Sequence, residues 1–278
     1  MNIRVDYYDD AGAFLADAGA FLRSSPVHHN LILTLLEARI SHPEPGRYWL
    51  AARQSQVAGV VLQTPFTRPA LLVPMEGAVM EAIVDAIAEA GVILPGVNGD
   101  AAAAASFAGR WSERHKSGAF PSQGFRLYEL AGLNPARPVD GALRQATAPD
   151  RELVLAWTRA FNEEIHEPAN DDEARVDKWI ATRRAWLWRD GAAVSMAVGS
   201  QPVEGVVRVS GVYTPPENRG RGYAEACVHG ISRHFSQAGY RCVLYTDLGN
   251  PTSNSIYRRI GYKAVSEALH YRFEAASS

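Results

Sequence analysis

Two stretches of the chain combine residue types and spacing that could do chemistry. The first covers residues 212–224, V-Y-T-P-P-E-N-R-G-R-G-Y-A. An apolar run that reads as a strand is broken by Pro215-Pro216, and a glycine-rich turn then opens an amphipathic run. Gly220 and Gly222 let the backbone approach a ligand and take positive φ. The N–H groups of such a turn, with the N-terminus of the following helix, suit a phosphate or pyrophosphate. Arg219 and Arg221 add positive charge beside them. The same residues would equally make a tight strand-to-helix turn with two solvated arginines. The turn is not a Walker loop, because no Gly-Lys-Ser/Thr follows, and it lacks the third glycine of the dinucleotide fingerprint. The second stretch follows the next apolar strand and holds Asn250, Tyr257 and Gly261-Tyr262. A phenol such as Tyr257 is neutral at pH 7 and can donate a proton; it could also be a packed aromatic on a short helix.

The elements that must position these residues follow from periodicity. In the first half, helical spacing runs through 13–21 and 31–36, and strands are expected at 47–53, 57–63 and 70–73. Helices follow at 76–90 and 101–114, the second opened by Asp100 as a cap, and a strand closes at 124–130. Residues 131–141, AGLNPARPVDG, hold two Gly and two Pro and no period, as an interdomain linker would. The second half begins with a strand at 143–147 and helices at 151–164 and about 171–184. Three strands at 185–190, 191–199 and 205–214 form an antiparallel meander. A helix to residue 238, a strand at 241–248, a helix at 253–260 and a strand at 268–274 complete it. The two halves are similar in order, which points to an internal duplication.

With the motifs on these elements, residues 143–274 resemble a GCN5-related N-acetyltransferase (GNAT) domain. Arg219-Gly220-Arg221-Gly222-Tyr223-Ala224 is similar to the family's R/Q-x-x-G-x-G/A acetyl-CoA motif. Asn250, then Tyr257, then Gly261-Tyr262 are similar to its N-x(6)-Y-x(3)-G-[FY] motif. The first half resembles a degenerate GNAT repeat without the acetyl-CoA motif, so no CoA is expected there. The resemblance implies an α+β (α/β mixed-sheet) fold: tandem GNAT units, mostly antiparallel central sheets flanked by helices. The expected domains are a degenerate GNAT-like domain at 1–130, a linker at 131–141 and a catalytic GNAT domain at 142–278.

The resemblance also implies the activity, an acetyl-CoA-dependent transfer of acetyl to an amine of a small molecule or peptide. The strand ending at 212–214 would splay from the strand at 241–248. The pantetheine arm would then lie in the gap, against the backbone of Val212 and Thr214. A backbone N–H near Val212 and Tyr213 would polarise the thioester carbonyl. The amides of Gly220, Arg221, Gly222, Tyr223 and Ala224 would take the pyrophosphate. Asn250 would bond the pantetheine, and Tyr257 would protonate the leaving thiolate. At the two strand positions where some relatives carry a glutamate base, this chain has Arg208 and Tyr245. Asp247, Glu163, Glu164 and His166 are the nearby alternatives, the last three within the stretch 162–167; a water relay without a dedicated base is another. The alternatives to the activity are a non-catalytic acyl-CoA-binding or regulatory module and a transferase for a longer acyl donor.

Composition sets the outer bounds. The chain has 278 residues, 47% hydrophobic and 21% charged, and a net charge of 28 − 30 = −2. That balance gives no electrostatic footprint for nucleic acid or an acidic membrane surface. No run reaches the apolar length of a transmembrane helix, and the N-terminus does not read as a signal or transit peptide. Cys227 and Cys242 offer neither a disulfide framework nor a CxxC spacing, which fits a reducing, cytoplasmic compartment. His28-His29 and His42 have no third ligand at a metal spacing, so no metal is expected. The expected partners are acetyl-CoA and an amine, and a homodimer is possible. Trp186 and Trp188 would share one strand face, with one of them available to an acceptor.

Overall fold

Alternating and 3.6-residue apolar patterns become twelve strands and eight helices in a computed structural model, which describes residues 3–166 and 171–274. In the first half they run β1 (Ile3–Tyr8), α1 (Ala11–Arg23), α2 (Asn30–Ser41), β2 (Arg47–Arg53), β3 (Gln56–Gln63), β4 (Ala70–Leu72), α3 (Gly77–Glu89), β5 (Gly96–Asp100), α4 (Ala101–His115) and β6 (Gly118–Leu130). The second half runs β7 (Ala142–Gln145), α5 (Arg151–Glu164), α6 (Asp172–Ala181), β8 (Ala185–Asp190), β9 (Ala192–Gly199), β10 (Val206–Tyr213), α7 (Tyr223–Gln237), β11 (Arg241–Asp247), α8 (Pro251–Ile260) and β12 (Tyr262–Glu274). Each half reads β-α-α-β-β-β-α-β-α-β, so the element order repeats once.

The chain packs into two units that exchange segments. One comprises Met1–Leu127, Thr246–Asn250 and Val265–Ser278; the other comprises Tyr128–Tyr245 and Pro251–Ala264. The contiguous boundaries expected from the sequence, 1–130 and 142–278, therefore do not coincide with the compact units.

In the first unit β1, β2, β3 and β4 pair antiparallel in sequence order, and β4 pairs parallel with β5. The next strand over is the end of the chain: Ala268 to Arg272 of β12 run antiparallel to Asp100 to Gly96 of β5. The sequence reading missed both β1 and β5. The sequence of β5, GVNGD, has little β-propensity, and its glycines answer a different demand. A Cβ at Gly96 would collide with the Tyr271 carbonyl of the neighbouring strand. One face of the sheet buries Trp49, Ala51, Val61 and Val97 beneath Ile83 and Ile87 of α3 and Phe107 and Trp111 of α4. On the other face Tyr48 meets Phe14 of α1, ring to ring at 5.3 Å.

In the second unit β7, β8, β9 and β10 form the expected antiparallel meander, and β10 pairs parallel with β11. Successive residues of β8 and β9 face opposite ways. Trp186 and Ala197 pack beneath Cys227, Val228 and Ile231 of α7. Leu187 and Met196 pack against Val154 and Leu155 of α5 and Val176 of α6. A capping box starts the chain into α5: the Asp150 carboxylate accepts from the Thr147 N–H at 2.8 Å and from Arg144 at 2.6 and 2.7 Å. Residues 131–141 have almost no secondary structure but are fixed to this unit. Asn134 donates from its backbone N–H to the Ile260 carbonyl (2.9 Å) and from Nδ2 to the Arg259 carbonyl (2.8 Å). Trp188 Nε1 donates to the Asp140 carbonyl at 2.9 Å.

Candidate active site

The site is built where β10 leaves β11. Their parallel pairing runs from Val206–Arg241 to Val209–Leu244 and ends there, although the strands continue to Tyr213 and Asp247. Past that point β10 follows β9 alone. Its register shifts between Ser210 and Tyr213, with Gly211 at φ +56°, and Tyr213 returns opposite Met196. Ser195, fully buried in β9, secures the strand end: its hydroxyl donates to the Tyr213 carbonyl (3.1 Å) and lies 2.9 Å from the Thr214 hydroxyl. The bulge and the serine set the course of residues 212–214 beyond the last β10–β11 pair.

The glycine-rich turn follows directly. Pro215 leads into a single 3-10 turn at Pro216–Asn218. Gly220 and Gly222 take φ +78° and +85°, and Gly222 is the N-cap of α7. A side-chain cap is missing at this helix start. The Ala226 N–H bonds the Gly222 carbonyl at 3.0 Å, so the amides of Tyr223, Ala224 and Glu225 precede the helical ladder. Those amides and the helix dipole are what an anion would use. Tyr223 anchors the first turn by donating its hydroxyl to Asp190 Oδ2 at 2.6 Å, and the carboxylate raises the phenol's pKa.

Arg219 is exposed but held. Its Nε donates to the Thr214 carbonyl (2.9 Å), its Nη2 to Glu164 Oε1 (2.5 Å), and its guanidinium lies 5.9 Å from the Tyr213 ring centre. Glu164, a candidate base, is thus engaged with the turn, while Glu163 is exposed at the end of α5. His166 ends that helix at φ +55°, and Glu167 lies outside the described residues. Asp247 is also occupied, accepting from Gln123 Nε2 at 3.0 Å and from the Gly249 N–H at 2.6 Å.

On α8, Tyr257 is 7% exposed and shares its cluster with Val209, Leu244 and, at the edge, Val212. Burial pushes its pKa up to about 12, against a hydrogen bond with Ser253 that lowers it. Tyr128 lies 6.4 Å away, ring to ring, and donates its hydroxyl to Asn254 Oδ1 at 3.0 Å. Asn250, exposed in the turn before α8, belongs to the first unit. Enclosure lowers the pKa of Arg208, with Tyr245 acting the other way, so neither expected base position supplies a carboxylate.

Some readings require correction. Trp186 lies beneath α7, with its ring 4.6 Å from His234, so it is not free for an acceptor, while Trp188 is partly buried at the border of the same cluster. His29 is a core residue bonded at Nδ1 to the Leu22 carbonyl. Among the described residues, no group of three His, Cys, Asp or Glu could hold a metal, and no helix is long and apolar enough to cross a membrane. Ser195 escaped the sequence reading; its one signal is a lone hydroxyl in an apolar strand. The pairing of Glu225 with Arg259 joins positions 34 apart and has no local signal.

This geometry has counterparts among known proteins. The model of the family FR47-like protein matches residues 195–271, which include the β10 bulge, the glycine-rich turn and α8. A mycothiol acetyltransferase of Arthrobacter sp. (strain FB24) is 30% identical over 152 residues, 44% of this chain and 46% of that protein. The chain thus spans about half the length of that relative. An acetyltransferase of the GNAT family from Colwellia psychrerythraea superimposes over 98% of this chain and 100% of its own, with a TM-score of 0.63 at 10% identity. A GCN5-related N-acetyltransferase from Sphaerobacter thermophilus covers 97% and 95%, with a TM-score of 0.63 at 16% identity. A tandem GNAT protein from the clavulanic acid biosynthesis pathway covers 99% of both chains, with a TM-score of 0.56 at 12% identity. The fold is the tandem GNAT fold, an α+β architecture of mixed sheets flanked by helices. Residues 195–271 match the FR47-like family model, and the likeness to the solved structures shows the fold.

Proposed function

We propose that the second unit transfers an acetyl group from acetyl-CoA to an amine. The observation that carries this reading is the end of β10–β11 pairing at Val209–Leu244, immediately before a turn whose helix amides lack intrahelical partners. Residues present there fit the co-substrate. The backbone of Val212, Tyr213 and Thr214 would pair with the pantetheine, and the amides of Gly220 to Ala224 would take the pyrophosphate. Arg219 and Arg221 would add charge, and Asn250 would bond the pantetheine arm.

In the reaction the amine nitrogen bonds the acetyl carbon, the carbon–sulfur bond breaks, and a proton passes in net from nitrogen to sulfur. Tyr257, with its pKa near 12, stays protonated at neutral pH and can donate a hydrogen bond to the developing thiolate. A free thiol has a pKa of about 8.5, so complete proton transfer from this phenol would be uphill. Tyr257 therefore stabilises the leaving sulfur, and the sulfur's proton comes ultimately from the amine. With Glu164 bound to Arg219 and Glu163 exposed, water carrying that proton is the simplest route; Glu163 or Glu164 as base requires rearrangement at the end of α5.

The test is a thiol-release assay with acetyl-CoA over amines, amino acids, polyamines, antibiotics and mycothiol-type acceptors, the last because of the relative's name. Acceptor-dependent CoA release, abolished by Gly222→Glu, is expected. The carboxylate would face the pyrophosphate, and φ +85° disfavours any side chain. Arg208 and Tyr245 at the usual base positions favour one second reading, a module that binds acyl-CoA without transferring it. Tight acetyl-CoA binding with no acceptor-dependent release would select it. Longer acyl-CoAs in the same assay report donor length.

A further inference from the structure

We propose that Arg219 is a latch with two alternative partners, Glu164 and the pyrophosphate of acetyl-CoA, so that donor binding releases the Glu164 carboxylate at the end of α5. The proposal rests on the acetyl-CoA reading and adds to it a coupling between the donor and α5. Glu164 is the last residue of α5, where the helix dipole disfavours a negative charge, and the last turn of that helix holds no basic residue. Its cation comes instead from 55 positions further along the chain. Arg219 Nη2 meets Glu164 Oε1 at 2.5 Å, and Nε of the same guanidinium donates to the Thr214 carbonyl at 2.9 Å. The guanidinium also lies 5.9 Å from the ring centre of Tyr213, and that ring lies 6.2 Å from the Trp157 ring of α5. One side chain thus closes the end of α5 onto residues 213 and 214, the backbone that the acetyl-CoA reading gives to the pantetheine.

The closure is weak enough to be exchanged. Both side chains of the pair are about half exposed, 47% for Arg219 and 45% for Glu164. Water and salt screen such a pair, so it contributes little. A pyrophosphate offers more, because it carries more charge and its oxygens match the fork of a guanidinium. Arg219 stands three residues before Gly222, the N-cap of α7, and the amides at the start of that helix are those the same reading gives to the pyrophosphate. A turn of its own side chain therefore carries the guanidinium toward that anion. Tyr213 already feels both partners: burial raises its pKa most, the Glu164 carboxylate raises it further, and Arg219 lowers it. Once the arginine moves to the donor, the carboxylate stays at the helix end beside the strand that would hold the acyl group. A carboxylate so placed attracts the ammonium form of an amine.

Calorimetry of acetyl-CoA binding, at fixed low salt, to the unaltered chain, Glu164→Gln, Arg219→Gln and the double variant tests the exchange. Both residues are exposed, and the R/Q-x-x-G-x-G/A motif admits Gln at position 219, so the variants should fold and bind. Competition for Arg219 predicts that Glu164→Gln binds acetyl-CoA roughly two- to fivefold more tightly, the range of an exposed ion pair. Arg219→Gln should bind it more weakly, and adding Glu164→Gln to Arg219→Gln should change nothing further, because both act through one contact. If Glu164→Gln binds equally or more weakly, the pair orders the turn for the donor and the latch is overturned. If it tightens binding by the same factor in the Arg219→Gln background, plain charge repulsion is the cause and the latch is again overturned. An Arg219→Gln variant that binds as well as the unaltered chain overturns it too. In all three cases acetyl-CoA binding itself stands. If the unaltered chain does not bind acetyl-CoA, the donor reading falls and the latch with it.

Discussion

Tyr257 is a buried phenol whose protonation state is set by its surroundings. Any tyrosine is a protonated donor at neutral pH; one whose pKa burial raises to about 12 remains so well into the alkaline range. Its raised pKa means that the protonated donor persists below about pH 12 and is lost only above it. Tyr257→Phe should therefore lower kcat by roughly ten- to a thousand-fold while the affinity for acetyl-CoA changes little. The basic limb of the unaltered enzyme's pH profile should show no loss from this group up to pH 10. Steady-state kinetics beside calorimetry separate the two effects, and an unchanged kcat would remove Tyr257 from the chemistry. The motif spacing made Tyr257 and the turn residues legible. The ion pair of Glu164 with Arg219 was not, because it joins residues 55 apart through the fold.

At the scale of elements, the gap depends on how β10 ends. A bulge shifts the register of the strand end on β9, and Ser195 hydrogen-bonds that end at Tyr213. Ser195→Ala removes a buried hydroxyl from the Tyr213 carbonyl and Thr214. It should cost about 1 kcal/mol of stability and raise KM for acetyl-CoA more than it lowers kcat. Faster amide exchange at 212–214 would report the loosened strand; unchanged KM and exchange would show that the bulge suffices. The start of α5 offers a pH test. Hydrogen bonds from Arg144, then those from Thr147, hold the Asp150 carboxyl well below the usual range. A depressed folded pKa contributes stability above the unfolded value near 3.9 and loses it as pH falls below that. Asp150→Asn should lower Tm at pH 7, and the gap from the unaltered protein should narrow below about pH 4. A gap that stays constant down to pH 3 would mean that the carboxylate's charge plays no part.

On the scale of the whole molecule, the exchanged segments make each half of the sequence incomplete. Residues 268–272 pair with β5, and Leu248 donates its N–H to the Gly124 carbonyl at 3.0 Å, so the first unit needs chain from beyond residue 245. Truncation after Ala264 leaves the second unit's residues present but strips β5 of its partner. The first unit should then lose protection, seen as rapid proteolysis or exchange within 96–100, although no residue of 1–127 is altered. Intact protection there would show that the terminal strand is dispensable. For the same reason residues 1–130 expressed alone are a poor test of what the first half binds.

The sequence by itself determined the elements that carry strong periodicity, the position of the glycine-rich turn between strand and helix, and the pairing of two motifs that resembles the GNAT family. These are local properties: apolar spacing, prolines that cannot continue a strand, and glycines that admit positive φ. It missed β5 because GVNGD reflects the closeness of neighbouring backbones rather than any preference of its own residues. Tertiary structure alone decided that the final strand completes the first unit, that β10 parts from β11 after Val209, and that residues 131–141 are bound to α7 and α8 rather than free. Each of these is a hydrogen-bonding choice between segments far apart in the chain, settled by which backbone groups and side chains the packed fold leaves within reach.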